Sequence, residues 1–243
     1  PMTVKTYEHI TNEEGVDFRN DLGDVALSYT CIKYKCELGN ADYNFGDQGF
    51  SGLTTNFPYC VGGILRGTRD GYKETWERVI TSAGQEIELN LVPLYKFPHA
   101  KVTILKHELL EDGSMGQGIP LSTKESALIT LTYRKSNDPV NQPSHETTFV
   151  RSFDIDPKVV EESEFELLAK ADFPYDVDIT LIDDKTIMGG YEGVWNVEWA
   201  ELQSAQEMVF HVFTTQKDNE EELASLLIAK EATSKNLPKP ELK

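Results

Sequence analysis

The chain has 243 residues and a formal net charge of −18, from 41 acidic against 23 basic residues, and such a field disfavours nucleic acid as a partner. Its hydrophobic fraction of 39% and aromatic fraction of 10% support a packed core and exclude wholesale disorder. No apolar run approaches the roughly 20 residues that cross a bilayer, so we expect no membrane span.

Alternation of polar and apolar residues predicts strands through the first 97 residues. A strand is predicted over Val25–Cys36, and two more flank a tight turn at Asp70-Gly71. Ile87–Leu91 alternates as a half-buried strand does. Prolines then bracket residues 94–97 and discourage regular pairing, so the first domain is predicted at 1–97.

A second series of strands predicts another domain at residues 98–215. β-Branched and aromatic residues alternate over Ala127–Tyr133 and Tyr175–Leu181, and Trp195–Trp199 and Met208–Phe213 follow the same pattern. The predicted fold class is therefore all-β, with two antiparallel β-sandwich domains of the prealbumin or immunoglobulin type.

The period changes beyond Thr215. Asp218 and Glu221 have the spacing of a capping box, and leucines then recur with a helical period up to Thr233. Residues 216–243 are accordingly predicted to be a short C-terminal helix and a polar tail.

Three cysteines, at positions 31, 36 and 60, allow a geometric test. On one continuous strand Cys31 and Cys36 would be about 16 Å apart, too far for a disulfide, whose Cα atoms lie within about 7 Å. Cys36 and Cys60 flank a polar loop and are the predicted pair, with reduced thiols as the alternative. The bond would indicate an oxidising compartment.

Two acidic segments are candidate cation or carboxylate sites. Asp42, Asn44 and Asp47 offer closely spaced oxygen ligands for calcium, although ordinary turn chemistry also explains them. Asp176, Asp178, Asp183 and Asp184 form an acidic cluster that would chelate a cation or supply paired carboxylates, or simply face solvent. The five histidines lack metal-ligand spacing, and His211 is predicted to be a hydrogen-bonded core residue.

Several short segments resemble the prealbumin-like modules of carboxypeptidase regulatory-like and PEGA-type domains. They are Cys36-Glu37-Leu38-Gly39, the Phe57–Gly63 strand, Asp70-Gly71-Tyr72 and the apolar Ile87–Leu94 strand. The segment Phe165–Leu181, with the Trp195 strand, looks like a second such module. The resemblance implies a surface-exposed, non-catalytic spacer or adhesion unit.

These observations predict an extracellular or cell-surface structural or binding module that contacts other protein chains, including copies of itself, and that needs no cofactor. One alternative is a carbohydrate-active or metal-dependent hydrolase that uses the acidic cluster. Another is a calcium-dependent adhesin that uses the loop around Asp42. The candidate recognition residues are aromatic: Tyr43, Phe45, Phe50, Tyr59, Tyr191, Trp195 and Trp199. A place in the buried core is the competing expectation for most of them, particularly the two tryptophans.

Overall fold

A computed structural model describes residues 1–11, 16–43, 49–110, 112–133, 145–152, 163–184, 186–215, 224–225 and 227–243. It confirms the all-β fold class, with two curled, mainly antiparallel sheets and sandwich-like packing. The first sheet contains β1 (Met2–Thr11), β2 (Asp17–Asp21), β3 (Val25–Cys31), β4 (Tyr34–Tyr43), β5 (Ser51–Thr55), β6 (Gly63–Thr68), β7 (Thr75–Val79) and β8 (Glu86–Leu91).

The second sheet contains β10 (Val102–Glu108), β11 (Ile119–Pro120), β12 (Glu125–Tyr133), β13 (His145–Ser152), β15 (Phe173–Asp183), β16 (Thr186–Val197), β17 (Met208–Thr214) and β18 (Glu241–Leu242). The strands β9 (Leu94–Pro98) and β14 (Glu164–Leu168) form a separate two-stranded sheet. The described helices are a 3-10 turn at His99–Lys101, α1 (Trp199–Leu202) and α2 (Lys230–Ser234). No described helix is long and apolar enough to cross a membrane.

The chain divides into two compact units. Unit 1 contains Pro1–Tyr95 together with Leu168–Ala171, and unit 2 contains the other described residues.

The first and last strands of the unit 1 sheet are parallel neighbours. In the sheet the order is β2-β1-β5-β4-β3-β6-β7, and β8 lies parallel to β1 with Val4 opposite Ile87. Alternate residues of these strands point into one core, and Leu27, Tyr29, Leu65 and Leu89 are almost completely buried there. This is the burial that period-2 alternation predicts.

The unit 2 sheet also contains one parallel pair of strands that are distant in the chain. The order is β11-β10-β17-β16-β15-β12-β13, and β10 lies parallel to β17 with Ile104 opposite Phe210. Strand β15 alternates almost perfectly between buried and exposed residues, whereas the first six residues of β17 are all buried.

The predicted strand over Val25–Cys36 is in fact a hairpin. It turns at Ile32 and Lys33, and Ile32 has φ +56°, a left-handed conformation that is costly for a β-branched residue. Cys31 therefore lies opposite Tyr34, and Cys36 lies opposite Tyr29.

The C-terminal segment contains more sheet than the predicted polar tail. Helix α2 packs against β16, and Glu241 and Leu242 pair with Val209 and Met208 of β17. The proposed helix start at Asp218 lies outside the described residues.

Candidate functional site

The disulfide joins Cys31 to Cys60, with a Cα to Cα distance of 6.0 Å, and Cys36 is a free thiol. The predicted Cys36 to Cys60 pairing is therefore wrong. Because β3 lies between β4 and β6, Cys60, which precedes β6, reaches the end of β3 but not Cys36 on β4. The bridge is a covalent clamp at one end of unit 1.

Around this clamp lies a group of exposed apolar side chains that we call the apolar tip. The fractional exposure is 92% for Ile32, 82% for Tyr59 and 72% for Val61, and the remaining members are Tyr34 and Ile80. They come from the ends of four neighbouring strands, β4, β3, β6 and β7, or from the loops beside them. The tip therefore spans three inter-strand spacings, about 14 Å.

Local packing fixes the backbone beneath the apolar tip. The Cys60 N–H donates to Thr81 Oγ1 at 2.8 Å, and the Thr81 N–H donates to the Cys60 carbonyl at 3.2 Å. The ring of Tyr29 meets Phe57 edge to face with centroids 5.2 Å apart. A Cβ on Gly63 would lie 2.1 Å from the Tyr29 hydroxyl, so any larger residue there would have to displace the Tyr29 ring. The tip is thus held by a disulfide, hydrogen bonds and aromatic packing together.

The charge of the apolar tip is opposite to that of the protein. Residues 29–36, 56–64 and 78–84 meet at this end and carry Lys33, Lys35 and Arg78 but no Asp or Glu. Lys35 forms a 2.8 Å ion pair with Glu37, just outside these segments, so Lys33 and Arg78 carry the positive charge of the tip. In the whole chain 41 of 243 residues are acidic, so these 24 residues would contain about four at the average frequency. The tip is an apolar and basic surface on an acidic protein.

The predicted calcium residues are only partly within the described chain. Asp42 is exposed near the end of β4, and Asn44 and Asp47 lie outside the described residues. Within the described ranges no group of three or more His, Cys, Asp or Glu side chains is arranged to hold a metal ion. The calcium site remains a prediction.

The acidic cluster is divided between the middle and the end of one strand. Asp176 and Asp178 are exposed on the outer face of β15, and Asp178 forms a 2.8 Å ion pair with Lys230 of α2. Asp183 is the last residue of β15, and the exposed Asp184 follows with φ +40°. A role of the four carboxylates in catalysis or cation binding also remains a prediction.

Unit 2 contains a buried histidine pair that sequence spacing did not reveal. His107 Nδ1 lies 2.9 Å from the Gly116 carbonyl, and His107 Nε2 lies 2.9 Å from His211 Nδ1. A carbonyl only accepts, so His107 carries its proton on Nδ1, and in the neutral pair His211 Nδ1 donates to His107 Nε2. The buried role predicted for His211 is confirmed.

This tautomer assignment leaves His211 Nε2 without a proton. That nitrogen is buried and has no hydrogen-bond partner among the described residues, and Glu241 Oε1 is 3.8 Å away, too far for a hydrogen bond. Burial, with the neighbouring His107, lowers the pKa of His211 in spite of the opposing Glu241 carboxylate. The fold therefore favours the neutral form of His211.

A cleft of about 420 Å³ lies elsewhere in unit 2, next to β9, β13 and β14. Its lining includes Lys96, His99, His145 and three glutamates, Glu146, Glu164 and Glu166. His99 packs against both Phe149 and Phe165, which stack on each other with centroids 4.2 Å apart. Burial, with Arg151, lowers the pKa of the His99 ring. The volume suits a small ligand, but the four aspartates of the acidic cluster are not part of its lining.

Phe45 lies outside the described residues, and four of the other candidate recognition aromatics fall into two groups. Tyr43 and Tyr59 are exposed, whereas Tyr191 and Trp195 are buried, with Trp195 packed edge to face on Phe210. The apolar tip is consequently the surface where exposed aromatic, aliphatic and basic residues occur together. No protein-family model matches the chain, and no curated protein matches it significantly.

Proposed function

We propose that the protein is a non-catalytic structural or binding module, extracellular or on the cell surface, that contacts other protein chains through the apolar tip. The observation that carries the proposal is the group of five exposed apolar residues held in place around the disulfide. Exposed apolar clusters on soluble proteins mark interaction sites, and interface centres are rich in tyrosine and poor in acidic residues.

The proposed location is supported by the Cys31–Cys60 bond. Disulfides persist in oxidising compartments and are rare in the cytosol. The resemblance to carboxypeptidase regulatory-like and PEGA-type modules supports the same role, because such modules are commonly spacers or adhesion units.

The test is site-specific photocrosslinking in the cells that make the protein. A benzophenone amino acid replaces Tyr34 in the apolar tip or, as a matched control, Tyr43. Both tyrosines are exposed and terminate the same strand, about 30 Å apart. We expect protein adducts from position 34 and none from position 43.

Absence of adducts from both positions would overturn the proposed protein contact. Thiol counting in protein alkylated directly in those cells tests the location separately. One free thiol agrees with an oxidising compartment, and three free thiols would overturn the extracellular assignment.

A further inference from the structure

The outer face of unit 2 carries negative charge, which the apolar tip does not. Four adjacent strands, β13, β12, β15 and β16, present their exposed side chains there in cross-strand rows. One row runs from Glu146 through Thr132 and Asp176 to Val194. The next row contains Asp178 and Glu192 in neighbouring positions.

We call this surface the acidic face and define it by seven exposed residues: Glu146, Asp176, Asp178, Glu192, Leu128, Val150 and Val194. It offers four carboxylates and three aliphatic side chains. Lys230 of α2 pairs with Asp178 in the middle row of the face, and α2 packs against β16 beside it. Asp176 and Glu146 lie in the row that contains Val194, and both are exposed.

The two surfaces match in width and in chemistry. Each is built on four neighbouring strands and so spans about 14 Å. The apolar tip presents Lys33 and Arg78 among its apolar side chains, and the acidic face presents carboxylates among its own. Like charges would meet if two tips or two faces came together, which disfavours a symmetric contact.

We infer that the apolar tip of one copy docks on the acidic face of a second copy of this chain. This inference rests on the proposed function and names the partner. Because every copy has one tip and one face, the contact is heterologous and adds copies head to tail, as an open chain or a closed ring.

The size of the surfaces makes the contact weak. A patch about 14 Å wide buries less than the roughly 1,200 Å² of a stable complex. The net charge of −18 also opposes association, although a Debye length of about 8 Å at physiological ionic strength screens most of it. We therefore expect copies to associate where their local concentration is high, as on a surface. In solution we expect association at protein concentrations on the order of hundreds of micromolar.

The experiment uses one variant of each surface. Ile32→Ser with Lys33→Glu disables the apolar tip, and Asp176→Lys with Val194→Ser disables the acidic face. All four side chains are exposed, so neither variant disturbs the core. Asp42→Lys, at the opposite end of β4 from the tip, is the control for a change of charge.

Sedimentation velocity measures the association at protein concentrations between about 10 µM and 1 mM. This range brackets the expected dissociation constant. The wild type and the Asp42→Lys control are expected to shift to larger species as concentration rises. Each surface variant alone is expected to bind at least tenfold more weakly, because removing one buried apolar side chain is worth more than 1.4 kcal/mol. An equimolar mixture of the two variants should form heterodimers that do not grow, which also shows that both are folded.

A wild type that stays monomeric throughout, or variants that associate as it does, would overturn the inference. The crosslinking at position 34 separates this failure from failure of the proposed function. An adduct of twice the chain mass supports both proposals. An adduct with a different protein retains the proposed function and overturns self-docking.

Discussion

The Cys31–Cys60 bridge predicts a large and asymmetric effect of cysteine substitution. Replacing Cys60 with Ser breaks the bridge and opens the loop between two residues that are 29 positions apart in the sequence. Cys31→Ser is expected to have the same effect. In the chain-entropy model, closing a loop of this length stabilises the fold by about 3.6 kcal/mol. Cys36→Ser breaks no bond and affects only a half-buried side chain, so its expected cost is within about 0.5 kcal/mol.

Hydrogen exchange followed by mass spectrometry resolves this effect within unit 1. Peptides covering β3 and β6 report the opening free energy of its core. A loss of about 3.6 kcal/mol corresponds to a fall of a few hundred-fold in their protection for Cys60→Ser, with little change for Cys36→Ser. A loss from Cys36→Ser as large as that from Cys60→Ser would refute the assigned pairing. Losses below about 1 kcal/mol from Cys31→Ser and Cys60→Ser alike would refute the clamp itself.

Three further predictions concern buried polar groups and close packing. Because the pKa of His211 is lowered in the fold, the free energy of unfolding should fall as pH drops below the unfolded value of about 6.5 and through the lower folded value. Urea titrations at several pH values should show part of this slope missing in His211→Asn, and equal slopes would contradict the assignment. Burial raises the pKa of Glu8, but the hydrogen bonds that Lys170 and Tyr72 donate to its carboxylate lower it by more. The pKa of Glu8 therefore lies below its ordinary value. Lys170→Met should cost about 1–3 kcal/mol and raise the pKa of Glu8 measured by NMR, and an unchanged pKa would contradict this role. Gly63→Ala should cost about 1–3 kcal/mol in urea unfolding because its Cβ would meet the Tyr29 hydroxyl, and wild-type stability would show that the ring moves away freely.

Sequence alternation was sufficient to predict the fold class and several strands. Ile87–Leu91, Ala127–Tyr133 and Tyr175–Leu181 each bury the residues that their period-2 pattern assigns to a core. This succeeds because one face of each strand is buried, which makes its pattern a local property of the chain.

The hairpin at Ile32 could not be predicted in the same way. Its turn residues are Ile and Lys rather than the Asn-Gly or Asp-Gly that mark tight hairpins, and alternation continues through both strands. Placing Cys31 and Cys36 on one strand gave the wrong disulfide. The apolar tip was missed for the same reason, since it is assembled from three distant segments whose proximity depends on that turn.

The histidine pair depended on a parallel pairing that local patterns do not encode. His107 and His211 are 104 residues apart and come together because β10 and β17 are neighbours. No periodicity in either strand specifies that partner. Similarly, the short pairing of Glu241 and Leu242 with β17 was not visible in a tail of mixed polar residues.

The parallel pairing of an early with a late strand in each unit has a consequence for biosynthesis. Strand β10 gains its neighbour β17 only after residues 208–214 leave the ribosome, so unit 2 cannot complete its sheet while the chain is still growing through that region. Until then β10 presents an unpaired edge, which is prone to wrong pairing. In unit 1, by contrast, β1 meets β8 once residue 91 has emerged, and Cys31 and Cys60 are both available before then. We therefore expect unit 1 to fold and oxidise first, and unit 2 to be the slower half of the molecule and the one more dependent on chaperones.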